Sequence, residues 1–176
     1  MDQKLKKLCN TALGIALFVV LSLCVRVPVF ENYYICLGYV SLAVYCYSFD
    51  TMSGTLTGTI GVILYCILTD GLRGMPGWTM GNLVIGIVLG ITFKRTKKME
   101  NRTIRTMINM AVITLSTAVG ILGVKSFIES VLYAQPFILR AAKNSYAFIA
   151  DVVTLLASLP LCVMLDKMVR RDTYIR

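Results

Sequence analysis

The chain has 176 residues, of which 57% are hydrophobic and only 15% are charged, whereas soluble domains usually carry about 25% charged residues. This shortage of charge excludes an ordinary water-soluble domain and indicates that lipid surrounds the protein. The net charge of +9 follows from an uneven distribution of basic residues across a membrane and requires no nucleic-acid partner. The sequence contains no histidine, which excludes histidine-ligated metal sites and Ser-His or Cys-His nucleophiles.

Six long apolar segments define the predicted elements. Each is close to the roughly 20 residues that an α-helix needs to cross the hydrocarbon core of a bilayer. We therefore predict an all-α membrane protein, a six-transmembrane-helix bundle that forms one integral membrane domain over residues 1–176. The predicted helices cover about residues 8–27, 33–49, 51–69, 77–93, 106–124 and 144–166.

Basic residues set the predicted orientation of the bundle. They concentrate at the start of the chain, in the loop after the fourth helix and in the C-terminal tail. By the positive-inside rule, both termini are predicted to be cytoplasmic and residues 69–82 to face outward. The expected location is the bacterial cytoplasmic membrane.

The first apolar segment is predicted to remain in the protein as helix one. It follows Lys4, Lys6 and Lys7, as the core of a signal peptide would, but no small-x-small cleavage site comes after it. Helix one carries Ala12 and Ala16, which lie four residues apart and therefore on one face. Small residues at this spacing allow another membrane helix to approach closely.

Residues 69–82, TDGLRGMPGWTMGN, form a polar interruption between two apolar segments. Their glycines and proline favour a shaped loop, and Trp78 and Asn82 share one face of the helix that follows. An aromatic ring beside an amide offers a stacking surface and hydrogen-bond partners to a small, flat, polar ligand. Asp70 and Arg73 add charges, and Asp70 either touches the ligand or only holds Arg73.

The segment over residues 125–144 lies between the fifth and sixth predicted helices. Ser126 precedes Glu129 by three residues, a capping-box pattern, and apolar residues recur at helical spacing before Pro136. This pattern predicts a short outer helix that ends at Pro136. The helix acts either as a lid or as a plain interfacial helix.

Helix six carries a charged residue within its apolar stretch. Asp151 lies seven residues after Asn144 and shares its helix face. A carboxylate inside a membrane helix marks a ligand site, a transport pathway or a charge pair. Two interpretations stay open, because Asp151 either contacts a ligand or pairs with a basic residue such as Arg26 or Arg73.

No motif for catalysis accompanies these polar residues. The chain lacks a phosphate-binding P-loop, and the spacing of Asp70 and Asp151 matches no intramembrane carboxylate enzyme. We therefore predict neither an enzyme nor a bound metal or cofactor, and expect recognition of a small molecule at the outer face. The candidate substrate-binding residues are Asp70, Arg73, Trp78, Asn82, Tyr133, Asn144, Tyr146 and Asp151.

The order of four segments resembles the substrate-binding S-component of an energy-coupling-factor (ECF) vitamin transporter. The similarity covers nearly the whole chain and lies in helix lengths and glycine positions. The segments are VRVPVFENYYICLGYV (25–40), GTLTGTIGVILYCILTDGLRG (54–74), GWTMGNLVIGIVLG (77–90) and KNSYAFIADVVTLLASLP (143–160).

The resemblance implies a six-helix subunit of an ABC-type importer that captures a water-soluble vitamin or precursor near the outer surface. It also implies docking on a transmembrane T-component with two ATPase subunits, and Ala12 and Ala16 occupy the place of the family's docking pair. The run FDTMSG (49–54) departs from the more usual Phe-Gly-Pro, which affects the local turn. The aromatic content suits a flat heteroaromatic such as riboflavin, a B6 form or a pyrimidine precursor, with the ligand charge left open.

A second interpretation comes from a different functional class. Small membrane subunits of the rod-shape cell-wall machinery have a similar length, helix count and glycine pattern, and they act as non-transporting scaffolds. A vitamin-binding subunit needs its polar residues to line an outward cavity, whereas a scaffold could leave the same residues splayed or packed. The transporter subunit is the preferred interpretation.

Overall fold

The structure, a computed structural model, describes residues 3–24, 27–30, 33–69 and 71–174. Helices make up almost all of this part of the chain, together with one antiparallel two-stranded hairpin. The elements are α1 (Gln3–Cys24), β1 (Val27–Phe30), β2 (Tyr33–Ile35), α2 (Gly38–Ser48), α3 (Thr51–Leu68), α4 (Met75–Thr96), α5 (Arg102–Thr117), a π-helical segment (Ala118–Lys125), α6 (Ser126–Tyr133) and α7 (Phe137–Tyr174).

Five helical stretches in the described ranges are long and apolar enough to cross a membrane. They are Gln3–Cys24, Thr51–Leu68, Met75–Thr96, Arg102–Tyr133 and Phe137–Asp166. The second predicted helix, α2, has only 11 residues, which corresponds to about 16 Å. It begins at Gly38 instead of near residue 33 because Tyr33–Ile35 pairs with Val27–Phe30 as a hairpin. The valine and aromatic content of these two short segments suits strands.

The region after α5 differs from the predicted short outer helix. The chain passes without a break from α5 through the π-helical segment into α6, so residues 102–133 form one helical stretch. Ser126 does not cap a new helix, because its hydroxyl donates to the Ile121 carbonyl at 3.1 Å. The stretch ends at Ala134, whose φ of 49° is left-handed. The last helix already begins at Phe137, seven residues before the predicted start at 144.

Small residues bring the helices into close contact. A Cβ atom on Gly54 would lie 2.6 Å from the backbone nitrogen of Cys46, so α2 and α3 pack backbone against backbone there. A Cβ atom on Gly81 would lie 2.8 Å from the carbonyl oxygen of Gly120, where α4 meets the π-helical segment. Close approach of this kind supplies packing contacts where lipid provides no hydrophobic drive.

Contacts at the two ends of the bundle show how the helices alternate in direction. Lys7 pairs with Asp50, and Lys97 pairs with Asp166 at 2.6 Å. We call this end, with the α2–α3 and α4–α5 connections, the basic end. At the opposite end, the Tyr133 hydroxyl donates to the Arg73 carbonyl. We call that end, with residues 71–74 and 134–136, the loop end, and the polar cluster described next begins there.

Candidate ligand site

Trp78 and Asn82 meet through a tyrosine from another helix. The indole N–H of Trp78 donates to the Tyr39 hydroxyl at 2.9 Å, and that hydroxyl donates to the Asn82 side-chain oxygen at 2.7 Å. The Asn82 amide nitrogen donates to the Gly58 carbonyl at 3.2 Å. Tyr39 and Asn82 are fully buried, at 0% exposure. The two residues that the sequence placed on one helix face therefore share a hydrogen-bonded group.

Two buried charges lie beside this group. The Lys125 ammonium is 6.0 Å from the centre of the Trp78 ring, and Lys125 and Asp151 are both buried. The Asp151 carboxylate interacts electrostatically with the Lys125 ammonium and lies close to the Tyr39 hydroxyl. We name Tyr39, Trp78, Asn82, Lys125 and Asp151 the inner cluster.

The inner cluster changes the expected charge partner of Asp151. The sequence offered Arg26 or Arg73 for that role, but Arg73 is exposed and Arg26 lies outside the described residues. Lys125 provides the positive charge instead. A buried cation and anion in a membrane helix bundle are costly to desolvate, and such groups usually mark a ligand site or pathway.

A second polar group lies nearer the loop end. The buried Asn144 amide donates to the Ser126 hydroxyl and to the Glu129 carboxylate, both at 3.0 Å. Arg140 lies 3.9 Å from Glu129 and its guanidinium stands 4.3 Å from the centre of the Tyr133 ring. These contacts join α6 to α7, and the Tyr133 hydroxyl joins both to the loop over residues 71–74. We name Ser126, Glu129, Tyr133, Arg140 and Asn144 the outer cluster.

The predicted site residues divide between these clusters and their surroundings. Trp78, Asn82 and Asp151 lie in the inner cluster, and Tyr133 and Asn144 lie in the outer one.

Arg73 contributes its backbone carbonyl to Tyr133, while its side chain is exposed. Tyr146 is 40% exposed and follows Asn144 by two positions, which places it near the opposite side of α7. Asp70 lies outside the described residues.

The candidate residues chosen from the sequence did not include five members of these clusters, which are Tyr39, Lys125, Ser126, Glu129 and Arg140. Tyr39 gave no signal, because it is one of nine tyrosines in the chain. Lys125 was treated as a loop residue because its charge ended the apolar segment. Ile121, Lys125 and Glu129 follow one another at a spacing of four residues, which places them on one helix face. This spacing was the sequence signal that the fifth helix continues past residue 124.

The two clusters together offer a defined set of interactions to a ligand. Trp78 is half-buried and packs edge-on against Tyr65 with 5.7 Å between ring centres. Its ring is an aromatic surface with a cation on one side and an amide four residues away. Such a set suits a planar molecule that carries several hydrogen-bonding groups.

The chain is similar to known proteins over half to nearly all of its length. A family model for the ECF-type riboflavin transporter, S component, matches residues 2–167. A UPF0397 protein of Streptococcus thermophilus is 25% identical over 161 residues, which is 88% of this chain and 86% of that protein. A UPF0397 protein of Lactococcus lactis subsp. cremoris is 32% identical over 97 residues, or 53% of this chain and 52% of that protein. The family match includes every residue of both clusters.

Proposed function

The chain belongs to the family of ECF-type riboflavin transporter S components, and on this premise we propose that it captures a flat, water-soluble vitamin at the inner cluster. This family match confirms the resemblance found in the sequence. The members of the family are membrane transport subunits and not enzymes. The comparisons give no support to the cell-wall scaffold interpretation. Riboflavin is the first ligand to test, because the family description names it and the cluster suits a heteroaromatic ring.

The observation that carries this proposal is the convergence of the inner cluster. Its five side chains come from α2, α4, the π-helical segment and α7, so no single helix would gather them for its own stability. They include two buried charged residues, Lys125 and Asp151, and the half-buried indole of Trp78, and charged groups inside a membrane bundle usually mark a functional site. A ligand ring would stack on Trp78 while Asn82, Lys125 and Asp151 bond its polar edges.

Binding would exchange internal hydrogen bonds for bonds to the ligand. Trp78, Tyr39 and Asn82 bond to one another in this structure, so their polar atoms are satisfied before a ligand arrives. An exchange of this kind leaves the number of hydrogen bonds nearly constant. The net free energy of ligand binding therefore depends mainly on stacking and on charge. The outer cluster, through Tyr133 and the loop over residues 71–74, would cover the entrance.

The proposed topology has six crossings with both termini in the cytoplasm. The pairs Lys7–Asp50 and Lys97–Asp166 support it, because they join the start of α1 and the far part of α7 to the same end. The short α2 would cross together with the hairpin that precedes it. The ligand would then enter from the outside, at the loop end of the bundle.

Delivery is proposed to require a T-component and two ATPase subunits, with α1 as the docking helix. Ala12 and Ala16 are both exposed on α1, so a partner helix can approach them. The variant Ala12→Trp is expected to lose co-purification with the T-component while keeping ligand affinity. Normal assembly of this variant would contradict the docking role.

Mass spectrometry of small molecules that co-purify with the protein tests the ligand class. The wild-type protein is expected to carry riboflavin or a related heteroaromatic, and Asp151→Asn to carry much less of it. Met80→Ala is the matched control, because Met80 is exposed on α4 between Trp78 and Asn82. Equal ligand content in all three proteins would place the binding site elsewhere.

A further inference from the structure

A cavity of about 360 Å³ lies at the basic end of the bundle, between α5 and α7. Its floor consists of Tyr47, Asn109 and Leu159, which are buried. It is separate from both polar clusters, since none of their residues lines it.

Two arginines, Arg102 and Arg105, border the cavity. Among the residues that the structure describes, Arg102 and Arg105 form no ion pair. The nearby Lys97 is different, because Asp166 lies 2.6 Å from its ammonium. The lining therefore carries an excess of positive charge that an anion would complement.

The position of these arginines on α5 strengthens the argument. Arg102 and Arg105 lie in the first turns of the helix, which contain no acidic residue, and Asn101 caps its amides. Positive side chains at this end oppose the helix dipole, so the bare arrangement is unfavourable. A bound anion would relieve the repulsion, since helix N-termini and arginines both favour a phosphate.

The opposite wall of the cavity is apolar. Pro160, Val163 and Met164 of α7 line it, and Met164 is 53% exposed toward the surroundings of the bundle. The same part of α5 presents Ile104 and Met107 outward, at 47% and 65% exposure. The cavity thus opens beside the exposed apolar surface of the bundle. The arginines of α5 line one side of it, and apolar residues of α7 line the other.

We propose that this cavity binds an anionic phospholipid from the leaflet at the basic end. The headgroup phosphate bonds Arg102 and Arg105, and the first part of an acyl chain lies against Val163 and Met164. The volume holds that part of the lipid and leaves the rest in the bilayer. Basic pockets between membrane helices are a known place for such headgroups. This site is distinct from the vitamin site and does not depend on it.

Native mass spectrometry of the protein released from nanodiscs tests this site. The nanodiscs contain equal amounts of phosphatidylglycerol and phosphatidylcholine, and the retained lipids are counted. Wild-type protein is expected to retain phosphatidylglycerol, and Arg102→Gln/Arg105→Gln to retain roughly tenfold less. The matched control is Lys94→Gln/Arg95→Gln, which removes the same charge from exposed positions at the same end and is expected to behave like the wild type.

Three outcomes would overturn the lipid site. Equal losses in both double variants would mean that general surface charge attracts the lipid. Full retention by the arginine variant would exclude the cavity. Displacement of phosphatidylglycerol by equimolar sn-glycerol 3-phosphate would identify a small-anion site without acyl contacts. Melting temperatures in phosphatidylcholine nanodiscs, expected to agree within a few degrees, show that both variants are folded.

Discussion

The packed side of the bundle, where α2, α3 and α4 meet, and the inner cluster are both buried, but they consist of different residues. On the packed side, Gly54 lies against the Cys46 backbone and Gly90 lies against Thr51. In the inner cluster, an indole, a phenol, an amide, an ammonium and a carboxylate share the interior. Close contact between helix backbones stabilises the packed side. The inner cluster contains polar groups that do not contribute to such packing.

This difference implies that stability and ligand binding can be separated. Substitutions on the packed side should alter the free energy of unfolding and leave the affinity of the folded protein unchanged. Substitutions in the inner cluster should alter affinity, and the charged pair should alter both. The predictions below run from the largest expected effect to the smallest.

The largest effect is expected from the buried charges. Lys125→Met removes the buried positive charge that interacts with Asp151 and should lower the free energy of unfolding by up to about 5 kcal/mol, the upper value for removing one partner of a buried ion pair. Adding Asp151→Asn removes the unpaired carboxylate, so the double variant should be more stable than the sum of the single losses implies. Denaturant unfolding followed by Trp78 fluorescence measures this, and strictly additive losses would contradict coupling.

The packed side is tested by Gly54→Ala. The added Cβ atom meets Cys46 backbone atoms at 2.6 and 2.7 Å, so the helices must separate, at a loss of up to about 3 kcal/mol. Gly123→Ala is the control, because nothing lies within 4 Å of that position. Thermal unfolding should give a lower melting temperature for Gly54→Ala than for Gly123→Ala. Similar melting temperatures would mean that α2 and α3 can move apart at little cost in free energy.

The aromatic and amide groups of the inner cluster should act mainly on binding. Trp78→Ala removes the stacking surface and Asn82→Ala removes a hydrogen-bonding amide, each with a loss of about 1–3 kcal/mol in ligand affinity. Flavin fluorescence measures the affinity without using the tryptophan signal. Unchanged affinity in a protein that carries both substitutions would show that the ligand binds elsewhere.

The smallest effect concerns Asp50 at the basic end. Partial burial raises the pKa of Asp50, but hydrogen bonds from Lys7 and from Ser53 outweigh it and hold the pKa below its ordinary 3.8. The stabilisation is therefore present above about pH 4 and is lost as the pH falls through the lower folded value. Because the pair is largely exposed, the contribution is at most about 1 kcal/mol.

Two substitutions separate the roles of Asp50. Its carboxylate accepts from the Ser53 amide at 2.6 Å and caps α3. Asp50→Asn keeps a capping oxygen and removes the charge, whereas Asp50→Ala removes both and should cost about 1 kcal/mol more. The free energy of unfolding, measured between pH 3 and pH 7, should fall at low pH in the wild type and lose this dependence on Asp50 in Asp50→Asn. The same pH dependence in both proteins would show that another group causes it.

The sequence predicted part of this architecture because the length of an apolar segment shows directly whether a helix can cross a membrane. Trp78 and Asn82 could be paired because a spacing of four residues places them on one helix face. Tyr39 could not be assigned, since its contacts come from a helix distant in sequence. Lys125 was misplaced because a charge was taken to end a membrane segment, whereas Asp151 allows that charge to lie inside the bundle. The hairpin was missed because its apolar residues continued an apparently helical segment.

The most direct test of the proposed vitamin site is a titration of the purified protein with riboflavin, followed by the emission of Trp78, the single tryptophan in the chain. Because this residue lies in the inner cluster, its emission reports both affinity and location. The account predicts saturable quenching with one ligand per protein, about 5- to 150-fold weaker in Asn82→Ala and unchanged in Met80→Ala. Absence of saturable quenching, or equal affinity in Asn82→Ala and the wild type, would contradict it.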